Sequence, residues 1–122
     1  MKNNVSRLKS EAFAIRIVKL YNYLCDKKKE FVLSKQILRS GTSIGANLAE
    51  ADYAISKMDF LSKIYIAIKE CSETLYWLRL LKETKYLSQK EFYSIYKENE
   101  ELMWILTSSI KTVKTNLEKK KK

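Results

Sequence analysis

Arg39-Ser-Gly-Thr-Ser-Ile-Gly-Ala-Asn-Leu-Ala-Glu50 holds both glycines of the chain, Gly41 and Gly45, yet it reads as helix. Ile37, Gly41, Ile44, Leu48, Ala51 and Ile55 recur every three to four residues, the period of one helix face. Arg39, Ser43, Asn47 and Glu50 follow at steps of four, four and three, so they stack along a neighbouring face. A glycine inside a helix costs about 0.5–1 kcal/mol relative to alanine. Two of them beside a polar row predict close backbone packing against another helix. The polar row itself has two readings: side chains that satisfy each other at a helix or subunit interface, or a site that holds a ligand.

Outward from this stretch, the rest of the chain reads as helix too. The 122 residues contain no proline, which leaves little means of building hairpins. Hydrophobic residues make up 46%, enough for one core, and charged residues 31%. The first helix is predicted over Ser6 to Lys28, with Phe13, Ile17, Leu20, Tyr21 and Leu24 as its apolar stripe. The second starts near Ser34 as N-cap and carries the glycine motif. The third opens at Ser56 with Asp59 three residues on, and its seam is Leu61, Ile64, Ile68, Cys71, Leu75 and Leu78. The fourth opens on the capping box Ser88 and Glu91. Its seam is Phe92, Tyr96, Asn99, Met103, Leu106, Ile110, Val113 and Leu117. The links, about residues 29–33, 52–55 and 84–87, are short, so successive helices become antiparallel neighbours. The predicted fold is all-α: an antiparallel up-down-up-down four-helix bundle, one domain over residues 1–118, with a basic C-terminal tail at 119–122.

The third helix is apolar well beyond one stripe, with Phe60, Tyr65, Ile66, Tyr76, Trp77, Leu80 and Leu81 off its seam. Such a helix is usually buried on several sides, which predicts a homo-oligomer. Asn99 in the fourth seam fits either a register-setting buried amide or a polar notch at an interface.

Several classes of function lose support. The longest uninterrupted apolar run considered, Ile64–Ile68, is far short of the roughly 20 residues a membrane span needs. Lys2 and Arg7 precede an apolar stretch that Arg16 and Lys19 interrupt, so it makes a poor signal peptide. Cys25 and Cys71 lie on apolar stripes and read as reduced thiols of a cytoplasmic protein. With no histidine and two thiols, neither a metal site nor a cofactor site is expected. A general base near neutral pH would need a strongly shifted carboxylate, lysine or thiol. The carboxylates to weigh are Glu50, Glu70 and Glu73, whose other reading is ion pairing with Arg39 or Arg79. No phosphate loop, dinucleotide fingerprint or nucleophile elbow is present. A non-enzymatic protein is expected.

Charge is the functional signal legible without analogy. Twenty-four bases face fourteen acids, a net of +10. Residues 1–30 carry eight bases and three acids, and residues 87–122 carry eight and five, so the surplus sits on the first and last helices. These are adjacent in the predicted bundle, and one basic face is geometrically possible. Such a face attracts phosphate backbones, chiefly without sequence specificity. Its other reading is solubility. The residues assigned to phosphate contact are Lys2, Arg7, Lys9, Arg16, Lys19, Lys111, Lys114, Lys119, Lys120, Lys121 and Lys122. Arg39, Ser43, Asn47, Glu50, Glu70 and Glu73 are assigned to a structural polar network.

Leu38-Arg39-x-x-x-Ser43-Ile44-x-x-Asn47-Leu48-x-Glu50, then Phe60-Leu61-x-x-x-Tyr65-Ile66-Ala67, then Glu70 and Glu73, resembles the four-helix bundle family encoded in intervening sequences of bacterial 23S ribosomal RNA genes. The likeness spans nearly the whole chain. Gly45 stands where the family commonly has proline or a similar residue, and Ala51 where it has glycine, departures that bear on local backbone geometry. The resemblance implies an antiparallel bundle assembled into pentameric rings, with no established enzymatic activity. The family in turn is similar to the accessory variability proteins of diversity-generating retroelements, basic pentamers that bind nucleic acid and partner a reverse transcriptase. That likeness implies an RNA- or DNA-binding accessory protein. The rival expectation is an oligomeric scaffold for a protein partner, with the charge serving solubility alone.

Overall fold

A computed structural model describes residues 5–121, with side chains through Lys119. It is all-α, with four helices and no strand among the described residues: α1 Val5–Asp26, α2 Leu33–Ala51, α3 Lys57–Glu83 and α4 Gln89–Lys121. α1 packs on α2 and α4, and α3 packs on the same two helices. All four helices contribute to one core of Phe13, Ile17, Leu24, Ile37, Ile44, Leu48, Ile64, Leu78 and Leu106 among others, each 1% exposed or less. Fully burying one such side chain contributes about 1.5–3 kcal/mol, so this shared core is what holds the helices together.

The α1–α2 contact follows from the glycines. A Cβ on Gly41 would lie 2.8 Å from Ile17 Cγ1 and 2.9 Å from Cγ2, and one on Gly45 would lie 3.3 Å from Ser10 Oγ. Ser6 and Ser10 are buried on the same helix, so small side chains on both partners let the backbones approach. The expectation of tight packing at these two positions holds.

Helix starts divide into two kinds. Ser56 accepts from Asp59 N at 3.0 Å, while Asp59 Oδ2 accepts from Ile55 N at 3.1 Å. Ser88 and Glu91 form the reciprocal box, at 3.1 Å and 2.8 Å. α2 differs from expectation. Ser34 is not its N-cap but lies buried inside the helix, and Val32 stands at the cap position without a side-chain bond. The Glu30 carboxylate replaces the cap, accepting from the N–H groups of Val32, Leu33 and Ser34 at 3.2, 3.0 and 2.7 Å. Burial pushes that carboxyl up, but these bonds outweigh it and hold its pKa below the ordinary glutamate value.

Two seams are rotated from those read in the sequence. α3 buries Leu61, Ile64, Ala67, Cys71, Thr74, Leu78 and Leu81, leaving Ile68 and Leu75 half-buried. α4 buries Phe92, Ile95, Asn99, Leu102, Leu106 and Ile110, leaving Tyr96 and Met103 half-buried. The small Ala67 and Thr74 face the core because α2 lies close there: Thr74 Oγ1 sits 3.0 Å from Ser40 Oγ and 2.8 Å from the Glu70 carbonyl. Ile55 is 94% exposed rather than on the apolar face, because α2 ends at Ala51. Off the α3 seam, Phe60, Ile66, Trp77 and Leu80 are half-buried and Leu81 is buried, while Tyr65 and Tyr76 are exposed. Of these seven only Leu81 is fully covered within the single chain, so much of the breadth of α3's apolar surface keeps some exposure.

Candidate nucleic-acid interface

α1 and α4 are neighbours, but the bases assigned to them do not all share one side, since Lys114 lies against Tyr65 of α3 and Arg7 reaches Asp52 beyond α2. Three of them are already matched. Arg7 pairs with Asp52, just past the end of α2. Lys9 Nζ lies 2.6 Å from Glu101, and Arg16 pairs with Glu98 while reaching the Ser94 hydroxyl and carbonyl. These pairs tie α1 to α2 and α4 across its exposed edges. Each is worth little in stability, up to about 1 kcal/mol, but each offsets a positive charge.

Lys19, Lys111, Lys114 and Lys119 are exposed, and none makes an ion pair among the described residues. Lys114 lies over the Tyr65 ring, 5.4 Å from its centroid, which holds the ammonium on the outer surface between α4 and α3. α4 continues through Lys121, so Lys119 to Lys121 belong to its last turn, where cations oppose the negative end of the helix dipole. The side chains of Lys120 and Lys121, and all of Lys2 and Lys122, lie outside the described residues.

The polar row splits into parts. Arg39 pairs with both Glu73 and Glu70, the latter at 3.3 Å, bridging α2 to α3. The Glu73 carboxylate also accepts from Trp77 Nε1 at 3.0 Å; that bond and the Arg39 charge hold its pKa low. Glu50 pairs with Lys63 at 2.9 Å, a second bridge between the same helices. Ser43 and Asn47 do not join these pairs. The Ser43 hydroxyl donates to the Arg39 carbonyl at 2.6 Å, and Asn47 Nδ2 to the Ser43 carbonyl at 2.8 Å, each one turn back in its own helix. The three weighed carboxylates thus lie in ion pairs along the α2–α3 edge, Glu50 exposed and Glu70 and Glu73 partly covered. Asn99 is buried; its Nδ2 donates to the Cys71 carbonyl at 3.0 Å, and its Oδ1 accepts nothing among the described residues.

Sequence reasoning missed a pocket of about 460 Å³ between α1 and α4, floored by Leu20, Leu87 and Ile95 and rimmed by Arg16, Lys19, Tyr23 and Lys90. Lys90 carried no signal of its own, since only the packing of α4 on α1 brings it beside Lys19. Of the tyrosines on α1 and α4, Tyr96 stacks on Phe92 at 5.6 Å, Tyr23 is covered by Lys28, and Tyr93 is 52% exposed. Among the described residues no group of three or more His, Cys, Asp or Glu side chains is placed to hold a metal ion, and no helix is long and apolar enough to cross a membrane.

With this geometry in hand, similarity to known proteins is informative. Residues 2–108 match the family of the 23S rRNA-intervening sequence protein. A crystal structure at 1.70 Å resolution, of a protein of unknown function from the S23 ribosomal protein family of Bacteroides thetaiotaomicron VPI-5482, is 53% identical. The alignment covers 91% of this chain and 99% of that one, with a TM-score of 0.89. No curated protein matches the chain. The match over most of its length means that the chain belongs to the 23S rRNA-intervening sequence protein family.

Proposed function

We propose that this member of the 23S rRNA-intervening sequence protein family is a non-enzymatic accessory protein that binds RNA or DNA through its basic surface in the cytoplasm. Its four helices form an antiparallel up-down-up-down bundle, and copies assemble into a homo-oligomer, a pentameric ring by family likeness. The observation that carries the reading is the run of exposed lysines on the second half of α4, Lys111, Lys114 and Lys119, with no carboxylate paired to them among the described residues. Phosphates would supply the missing counter-charges, and the counterions they release drive binding. The ion pairs of Arg7, Lys9 and Arg16 move these residues from the contact surface to its supporting frame.

A second reading is favoured by one observation: Trp104 on α4 is 70% exposed, and Leu8 and Ile15 on α1 are 66% and 52% exposed. Apolar side chains left open in this way suit a protein interface, either between copies of the chain or with a different partner held by a scaffold.

Fluorescence anisotropy against a structured RNA hairpin and a DNA duplex, across a salt series, tests the first reading. Binding should weaken log-linearly with salt. The Lys111→Glu, Lys114→Glu double variant should lose affinity while light scattering reports an unchanged oligomer mass. Wild-type protein that fails to bind at low salt refutes nucleic-acid binding and leaves the scaffold.

A further inference from the structure

The two links at the start of α4 and the end of α1 meet at one end of the molecule. Leu87 from the α3–α4 link and Tyr23 near the end of α1 line the same pocket, beside Lys90. Tyr23 also reaches the Glu91 carboxylate. This end carries Lys27, Lys28, Lys29, Lys35, Lys85 and Lys90, all exposed. Two of the acids beside them are engaged, Glu30 being 8% exposed and bonded to the start of α2 and Glu91 bonded to Ser88 N, while Glu83 is exposed and pairs with Lys82 at 3.5 Å. Asp26, near Lys27, is exposed as well, so six exposed lysines face two exposed carboxylates at this end. In the middle of the lysines stand Phe31, 54% exposed, and Val32, 69% exposed.

Two backbone positions add to this. Among the described residues only Lys29 and Lys85 combine a side chain with positive φ, at 55° and 72°. Each closes a helix in the left-handed region, where glycine is the relaxed choice. Both links of this end therefore hold a lysine at a conformation that disfavours any side chain.

We propose that this lysine-rich end is the surface that binds single-stranded RNA, with Lys27, Lys29, Lys35 and Lys85 on phosphates and Phe31 stacked on an unpaired base. The proposal rests on the nucleic-acid-binding reading above and gives it a ligand class and a second surface. Exposed lysines around one exposed aromatic ring are the elements from which single-strand sites are built. A membrane surface fits less well, because two apolar side chains on a link offer far less apolar area than the face of an interfacial helix.

The Lys29→Gly, Lys85→Gly variant removes two charges while relaxing the backbone, so it should melt above wild type. Two phosphate contacts, at about 0.7 of log–log salt slope each, correspond to roughly 25-fold in affinity at 0.1 M salt. Anisotropy with a labelled 20-nucleotide unstructured RNA should show that loss and a slope smaller by about 1.4. Phe31→Ala should cost roughly tenfold on this RNA and little on a fully paired duplex. A higher-melting glycine variant that binds as tightly as wild type overturns the proposal, while loss confined to the Lys111→Glu, Lys114→Glu variant leaves the earlier reading standing without it. No wild-type binding at low salt overturns both. Vesicles of phosphatidylserine and phosphatidylcholine that sediment wild type but not Phe31→Ala, with RNA affinity unchanged, assign the surface to membranes and also overturn it.

Discussion

Gly41→Ala isolates the contact that brings α1 and α2 together. The new methyl would lie 2.8, 2.9 and 3.2 Å from three atoms of Ile17, where carbon atoms normally rest about 3.5–4.0 Å apart. Ile17 is fully buried and β-branched, so it cannot swing aside cheaply. Alanine gains about 1 kcal/mol of helix propensity, and overpacking a full core costs about 1–3 kcal/mol, here the upper part, about 2–3 kcal/mol, because three atoms of Ile17 lie inside contact distance. The balance is a net loss of about 1–2 kcal/mol, or roughly 3–10 °C in Tm for a chain of this size. Gly45→Ala provides the internal comparison. Its methyl meets Ser10 Oγ at 3.3 Å and the Ser10 carbonyl at 3.5 Å, contacts that a few tenths of an ångström relieve. That variant should be neutral or gain up to about 1 kcal/mol. Thermal and urea unfolding by circular dichroism, at one fixed protein concentration, measures both. Ile17→Ala in the Gly41→Ala background completes a double-mutant cycle, and the new methyl should recover about 1–2 kcal/mol of the cavity cost. If Gly41→Ala melts with or above wild type, or Gly45→Ala costs as much, the close-approach reasoning is wrong.

Glu30→Gln should cost about 1 kcal/mol at pH 7, since a neutral amide is a poorer acceptor for three N–H groups. Because the folded pKa of Glu30 is lowered, its charge contributes stability above the unfolded value of about 4.3 that is lost as pH falls through the folded one. The gap between wild type and variant should therefore narrow on acidification, and a constant gap down to acid unfolding would refute the charged cap. Asn99→Leu gives up the bond from Nδ2 to the Cys71 carbonyl, worth about 1 kcal/mol, but relieves a buried acceptor that bonds nothing among the described residues, at about 1–3 kcal/mol. Urea unfolding should therefore show a net gain of about 1 kcal/mol, whereas a loss would mean that the oxygen is partnered in the assembled protein. Cys71, with a pKa pushed up to about 12 by burial and the Glu70 charge, should resist a thiol reagent at pH 8 in the native protein while the half-buried Cys25 reacts; equal rates would contradict the placement of Cys71 in the core.

The parts of the structure legible in the sequence are those encoded over one or two turns. Ser88 and Glu91 stand at capping-box spacing and form the box; Ile37, Ile44 and Leu48 stand at helix spacing and are buried. Long-range packing set the rest. A strict three-four seam put Ile68 and Leu75 inward, but α3 lies between two neighbours, and the small Ala67 and Thr74 allow α2 to come close. Ser34 looked like a cap because hydroxyls usually cap, whereas Glu30 could be recognised as the acceptor only once the chain was seen to turn back on α2. The polar row was legible as a row, but its partners were not. Arg39 reaches across 31 and 34 residues to Glu70 and Glu73, a pairing that helix spacing alone cannot specify.

The same logic governs the charge. Counting bases by segment marked α1 and α4, yet Arg7 and Arg16 find carboxylates 45 and 82 residues away, so a surplus on one helix is not a basic face. Among the described residues the cations without an ion pair include two groups, Lys27 to Lys29 with Lys35, Lys85 and Lys90 at the link end and Lys111, Lys114 and Lys119 on the far half of α4, with Lys19, Lys69, Arg79 and Lys97 scattered between them. Along α4, Lys90 and Lys111 are about 30 Å apart at 1.5 Å per residue. A ligand shorter than this reaches one group of a subunit, and a longer one reaches both. Affinity should therefore rise steeply once an RNA hairpin stem is long enough to span that distance with its loop left single-stranded, and the salt slope should rise with it. The step should vanish in either lysine variant, because each leaves one group to bind alone. A smooth dependence on length in wild type would mean that a single group carries the binding.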